Sequence, residues 1–446
     1  MSESANISII TPSESTESTK VVPESIRQQR GLIYENFRSL AEKFEQYTIW
    51  NRSNPFLSVD VTCNLEALNE LRIKVLPLLQ QQLNTLPKLL DPSEVLEDMN
   101  ASQLQRIIEI QSELDRTTDQ VSSLAPGLRR ETDSLATRAD DQDSKESKYW
   151  RRQGLSNKLR LMKHQLFLIF NLCSQTTKGF QLASSSSTTR ETENPTVVAA
   201  PLHPQDYNFN DDPDPCGIVG RTGHVVDSIG HAMRWMISHE FILVQEHWHT
   251  SVYSCDQQLI ELTQLINRAL RPPKPEDVGK SSRGPGTRNL KKHATPLAQS
   301  FIPLTKLSRI FLKKLAKEAL NKIPSKPYTN MSSCQLTTLS HSGRSMDSGY
   351  YDMMRFIAEY DMNNAIHERN PLESIEDILC DVVRSLDSSV LLVITHVIPL
   401  IPDSISSPNL LQNYLTQWTN LFLLATQNCI RAADSYNAAQ SAETDE

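Results

Sequence analysis

Apolar residues recur along this chain at three- and four-residue steps, the spacing of one face of an α-helix. A first helix is expected after Pro23: Ile26, Ile33, Phe37, Leu40, Phe44 and Tyr47 share a face, and Asn54-Pro55 stops it. A second runs from about Asn64 to Leu90 on the stripe Leu65, Leu68, Leu71, Val75, Leu79, Leu83, Leu86 and Leu90. Pro77 sits inside it and should bend or restart it, because proline withholds a backbone donor. A third, about Asn100 to Leu124, keeps Leu104, Ile107, Gln111, Leu114, Thr118 and Val121 in heptad-like order until Pro126-Gly127. A charged connector, ETDSLATRADDQDSKESK, leads to a fourth from about Lys148 to Leu182, striped by Leu155, Leu159, Met162, Leu166, Ile169 and Cys173.

The pattern then breaks. Residues 184–217 carry five prolines and no periodicity, which reads as a disordered linker and the main boundary. Beyond it the spacing predicts one very long helix, about Gly223 to Leu270. A Pro- and Gly-rich basic loop follows, then a basic helix from Pro296 to Ile323 and a shorter helix from about Gly349 to His367. Another spans Leu372 to Val397 and stops at Pro399 and Pro402. The last begins with Ser407 as N-cap and Pro408 in the first turn. No segment alternates as a strand does. The expected fold is all-α: two antiparallel helical bundles, 24–183 and 218–438, joined by the linker 184–217 and flanked by a disordered tail at 1–23 and an acidic tail at 439–446.

Composition sharpens this reading. Only 13 of 446 residues are glycine, which favours long helices over sheets and tight turns. A net charge of −8 argues against nucleic-acid binding by the chain as a whole and leaves room for a local basic patch. The 7 cysteines form no Cys-x-x-Cys pair, so neither a disulfide framework nor a zinc knuckle reads out, and a reducing intracellular setting, cytoplasmic or nuclear, is expected. No secretory signal is visible. The longest apolar run, VLLVITHVIPLI, is too short to span a bilayer, so a soluble protein is expected.

LRIKVLPLLQQQLNTL, RIIEIQSELDRTTDQV, the SKYWRR entry to the fourth helix, FILVQEHWHTSV, IPLTKLSRIFLKKL and the VIPLIPD break before LQNYLTQWTNLFLLATQNCIRAADSY together resemble an uncharacterised all-helical family of rust-type fungi. The resemblance covers nearly the whole chain. It implies a helical architecture and a eukaryotic intracellular setting, and no activity. A looser likeness of architecture is to two-bundle helical adaptors such as cyclin-D-binding and vinculin-like proteins.

Candidate chemistry is sparse. EHWHTSVYSC crowds Glu246, His247, His249 and Cys255 together, but Trp248 and Cys255 belong to an apolar seam running from Met233 through Ile237, Phe241 and Val244 to Ile266. Glu246 and His247 fall on the opposite side. A zinc-protease helix needs His-Glu-x-x-His; His239-Glu240 begins it, but position 243 is Leu. His239 and His247 are separated by roughly 12 Å of helical rise, too far to share one ion. The acidic run 208–217 fails the calcium-loop frame at its sixth and twelfth places. Gly217-Ile-Val-Gly220-Arg-Thr-Gly223 follows no strand and reads as a glycine-punctuated helix start. Ser342 to Gly349 reads as a flexible loop open to phosphorylation.

The basic region is the strongest functional candidate. Arg283, Arg288, Lys291 and Lys292 lie in the loop, and Lys306, Arg309, Lys313 and Lys317 recur along the next helix opposite Leu304, Leu307, Phe311 and Leu315. The expected function is non-catalytic: protein partners bound through bundle grooves, with no cofactor. The alternative is an anionic ligand, nucleic acid or acidic lipid, held by the basic loop and helix. An enzyme or metalloprotein built on the His239 to Cys255 stretch ranks last.

Overall fold

A computed structural model describes residues 23–50, 65–91, 95, 101–124, 138–183, 217–270, 294–319, 328–360, 371–401 and 408–444. Among these residues the fold is all-α, with no strand. Residues 1–22, 184–216 and the basic loop with Arg283, Arg288, Lys291 and Lys292 lie outside the described residues, whereas most of the expected acidic tail, 439–444, continues the last helix.

The described helices fall into two compact units that interleave along the chain. One is built from α1 (Glu24–Trp50), α2 (Leu65–Glu70), α3 (Leu76–Leu89) and α4 (Ser102–Leu124). It also takes α5 (Tyr149–Ala183) from Lys158 onward and α6 (Gly217–Ile237) as far as His231. Its core is the set of stripes the spacing predicts: Ile26, Ile33, Phe37, Leu40 and Phe44 meet Leu79, Leu83, Leu86, Leu104, Ile107 and Leu114, all buried. Phe44 and Phe170 pack with ring centroids 5.9 Å apart. Gln111 sits in this core without cost to hydrogen bonding. Its Nε2 donates to the Ile33 carbonyl at 2.8 Å, and its Oε1 accepts from Asn36 at 3.1 Å. The bend expected at Pro77 is a single π-turn, Leu71–Val75, immediately before α3. The wider turn lets proline enter the first turn of α3, where a missing N–H costs nothing.

The second unit contains α5 up to Asn157, α6 from Ala232, α7 (Glu240–Leu270), α8 (Thr295–Lys314), α9 (Ser333–Tyr360), α10 (Pro371–Leu392) and α11 (Pro408–Thr444). Helix α7 packs against both α8 and α9, α8 against α11, and α10 against α9 and α11. Trp248, Phe301 and Phe311 are almost completely buried. Phe311, Trp418 and Phe422 form a stacked series with centroids 4.5 and 5.2 Å apart. The Trp248 indole N–H donates to the Leu339 carbonyl at 3.0 Å, and that of Trp418 to the Leu307 carbonyl at 2.9 Å, so both rings carry a satisfied polar edge into the core.

Two expectations are corrected here. The single helix over Gly223 to Leu270 is two helices, parted at Ser238-His239. The apolar seam does not run through the break: Ile237 is 58 % exposed, and Trp235 takes the inward position. Ser342 to Gly349 is the middle of α9, not a loop. Ser342 is fully buried and donates to the Leu339 carbonyl, which removes it as a phosphorylation site. Helix α9 crosses α7 so closely that a β-carbon at Gly343 would lie 2.6 Å from the Ser251 hydroxyl oxygen. Glycine here serves close packing, and a pattern of scattered Ser and Gly hides a helix whose apolar positions are Leu336, Leu339, Met346, Tyr350 and Met353.

Candidate functional site

The break between α6 and α7 is held by a buried polar node within the second unit. At the end of α6 the Arg151 guanidinium donates to the carbonyls of Trp235, Met236 and Ser238, each at 3.1 Å. These are end-of-helix acceptors with no intrahelical donor, so a cation there also suits the helix dipole. At the start of α7 the His239 Nδ1 accepts the Phe241 N–H at 3.0 Å, an N-cap formed by an imidazole. Burial holds the His239 pKa below its ordinary value, with Arg151 and Lys148 adding to the effect and Glu240 opposing it. The neutral ring is the form that leaves Nδ1 free to accept.

Glu240 and Lys148 are both fully buried and pair at 3.0 Å. Glu240 Oε2 also accepts from the Thr329 N–H at 2.8 Å and the Thr329 hydroxyl at 2.7 Å, while Lys148 Nζ donates to the Thr329 carbonyl at 2.7 Å. Asp141 performs the parallel task at two helix starts. Its Oδ2 accepts the Tyr149 N–H at the head of α5, and its Oδ1 accepts the Ser333 N–H at the head of α9. The Ser333 hydroxyl donates to Asp141 Oδ2 at 2.5 Å and accepts the Trp150 N–H at 2.8 Å. Ser332 and Gln335 complete a capping box, each side chain taking the other's backbone N–H. Two carboxylates and two cations thus lie in the interior: Asp141 and Arg151 bond helix ends, and Lys148 pairs with Glu240 beside Thr329, leaving Glu240 Oε1 with no hydrogen-bond partner among the described residues.

The sequence reading passed over this node. One signal was available: SKYWRR places Lys148, Arg151 and Arg152 at the beginning of a helix, where cations oppose the helix dipole. Such a misfit calls for carboxylates from elsewhere in the fold, and Asp141 and Glu240 supply them.

The His-rich stretch does not converge. His247 presents its ring edge-on to Trp235 at 6.0 Å, while His249 and Tyr253 face outward. Cys255 is buried in the seam, and burial first, then Asp347 and Asp256, push its thiol up to about 12. Among the described residues no group of three or more His, Cys, Asp or Glu side chains is placed to hold a metal ion.

The basic helix forms a surface feature. Lys306, Arg309 and Lys313 of α8 fall within roughly 60° of one another at 100° per residue, and Lys317 lies in the π-turn Leu315–Ala319 that follows. Lys306 and Lys317 are exposed. Arg309 pairs with Asp256 of α7, and Lys313 reaches the same carboxylate at 3.4 Å. Beside this pair an open cleft of about 460 Å³ separates α7 from α8. Asp256, Leu259, Ile260, Thr263 and Gln264 line one wall, and Arg309 lines the other. Ile260 is 50 % exposed at its mouth.

Residues 64–236 match the family model described as Domain of unknown function (DUF8723), and residues 239–431 match that described as Domain of unknown function (DUF8721). The gap between the two matches falls at the α6–α7 break. No curated protein and no solved structure matches the chain. None of the described helices is long and apolar enough to cross a membrane.

Proposed function

We propose that this is a non-catalytic interaction protein that engages protein partners through grooves between its helices, in an intracellular setting that keeps its thiols reduced. The observation that carries this reading is the α7–α8 cleft, which sets Leu259 and half-exposed Ile260 beside the Arg309–Asp256 ion pair and opens to solvent. The interior polar groups support it from the other side. Asp141 and Arg151 are engaged at helix ends, and Lys148 is paired with Glu240, which is consistent with a structural role for these groups. The test is a tagged pull-down from native cells, washed at low and then at high salt. A stoichiometric protein that survives high salt is the expected result, because apolar contact is not screened. Retention of nothing at either salt overturns the reading.

A second reading is an anionic ligand on α8. Exposed Lys306 and Lys317 favour it, whereas Asp256 already engages Arg309 and Lys313. Replacing Lys306, Arg309, Lys313 and Lys317 with Gln abolishes binding to anionic vesicles or RNA if this reading holds, and leaves it unchanged if it does not.

A further inference from the structure

We infer that the α7–α8 cleft docks an acidic amphipathic helix from a partner protein. The inference rests on the interaction reading above and gives it a place and a chemistry.

Three features of the cleft select this occupant. The first is shape. The site is a shallow depression open to solvent, wide enough to receive side chains from one face of a helix. The second is the division of chemistry between the walls. Helix α7 offers Leu259, half-exposed Ile260 and Thr263, an apolar strip of the kind that accepts leucine-like anchors at helical spacing. Helix α8 offers Arg309 in the lining, with exposed Lys306, Lys313 and Lys317 along the same helix and the turn after it. Successive cations are three, four and four residues apart, so each is about one helical turn from the next. A partner helix lying along α8 with carboxylates at the same spacing would meet them in register.

The third feature is Asp256. It bridges Arg309 and Lys313 at the edge of the cleft, so the chain itself shows a carboxylate accepted between these two cations. Among the described residues no ion pair engages exposed Lys306 or Lys317, which leaves their charge to be met from outside. The same aspartate opposes nucleic acid, since it sets a negative charge in the wall that a phosphate would have to approach. Among the described residues no aromatic side chain lines the cleft for a base to stack on.

The test uses the full chain and a fluorescent synthetic helical peptide with leucines on one face and glutamates on its flanks. A second peptide carries lysine in place of each glutamate, and phosphatidylserine vesicles serve as the lipid probe. Anisotropy is expected to show binding of the acidic peptide alone. The double variant Lys306→Glu/Lys313→Glu should weaken it by about tenfold or more, as truncated or reversed charge pairs do. Asp256→Asn, which frees Arg309 and Lys313 from their internal competitor, should strengthen it, a change that misfolding cannot mimic. Circular dichroism verifies that each variant folds. Absence of acidic-peptide binding, or binding that ignores both variants, overturns the assignment. So does vesicle binding that is lost in the lysine variants while the peptide stays free. A chain that captures a salt-resistant partner from cells and does so equally well in the lysine variants keeps the interaction reading and loses only this site. A chain that captures nothing and binds no peptide loses both.

Discussion

A lysine ammonium with no solvent contact is costly unless its charge is answered at close range. Lys148 is answered by Glu240 at 3.0 Å and by the Thr329 carbonyl at 2.7 Å. Removing one partner leaves the other charged and enclosed. Lys148→Met, or Glu240→Gln, is therefore expected to destabilise the protein by about 3–5 kcal/mol. The double variant should recover much of that loss, because it buries two neutral groups in place of one orphan ion. Thermal denaturation of the three variants checks the cycle, and a double variant as unstable as the sum of the singles would contradict it. The thiols offer a second test at this scale. Cys173, Cys255 and Cys429 are buried and their pKa values are raised by burial, to about 12 for Cys255 and Cys429, so little thiolate exists near neutral pH. Among the described cysteines, alkylation of the native protein followed by peptide mass spectrometry should modify exposed Cys380 first and half-buried Cys334 more slowly. These three should be spared until denaturant is added.

The helices themselves were legible wherever burial followed the 3.6-residue period. The stripes of α1, α4 and α5 named their buried residues, from Ile26 to Cys173. What periodicity could not show was where helices touch through small residues or stop for polar reasons. The end of α6 depends on Arg151, more than eighty positions earlier in the chain, donating to carbonyls that a continuous helix would have used. The basic stripe of α8 was legible, but its pairing with Asp256 needed the α7–α8 packing to be known. Helix α5 adds a further case. A β-carbon built at Gly154 would sit within the Trp235 indole ring, and one built at Gly179 of the same helix would meet nothing within 4 Å. Gly154→Ala should thus cost about 1–3 kcal/mol by overpacking. Gly179→Ala should gain about 0.5–1 kcal/mol, the ordinary preference of a helix for alanine. Opposite shifts in melting temperature for these two substitutions are the expected outcome. Equal shifts would mean that Trp235 moves aside freely.

Acid sensitivity belongs to the molecule as a whole, because both units hold half-buried histidines. Burial lowers the pKa of His164 in the first unit, with Arg221 adding to it, and of His239 and His396 in the second. The sign follows from proton counts. A histidine whose folded pKa lies below its unfolded value binds fewer protons when folded, so stability rises with pH across that interval and is lost as pH falls. The stabilising difference is present above the unfolded value of about 6.5 and declines as pH drops from there towards the folded values. His239 gives this decline a location. Protonation removes the Nδ1 acceptor of the Phe241 N–H and places a third cation beside Lys148 and Arg151, so the head of α7 should open first. Amide exchange intrinsically slows as pH is lowered through 6, and at Phe241 it should therefore slow less than the intrinsic rate does. His239→Asn, which retains a capping acceptor without a proton to gain, should remove that difference. It should leave in place the acid sensitivity carried by His164 and His396. Exchange at Phe241 that follows the intrinsic pH dependence in both proteins would show that the imidazole cap does not control this helix end.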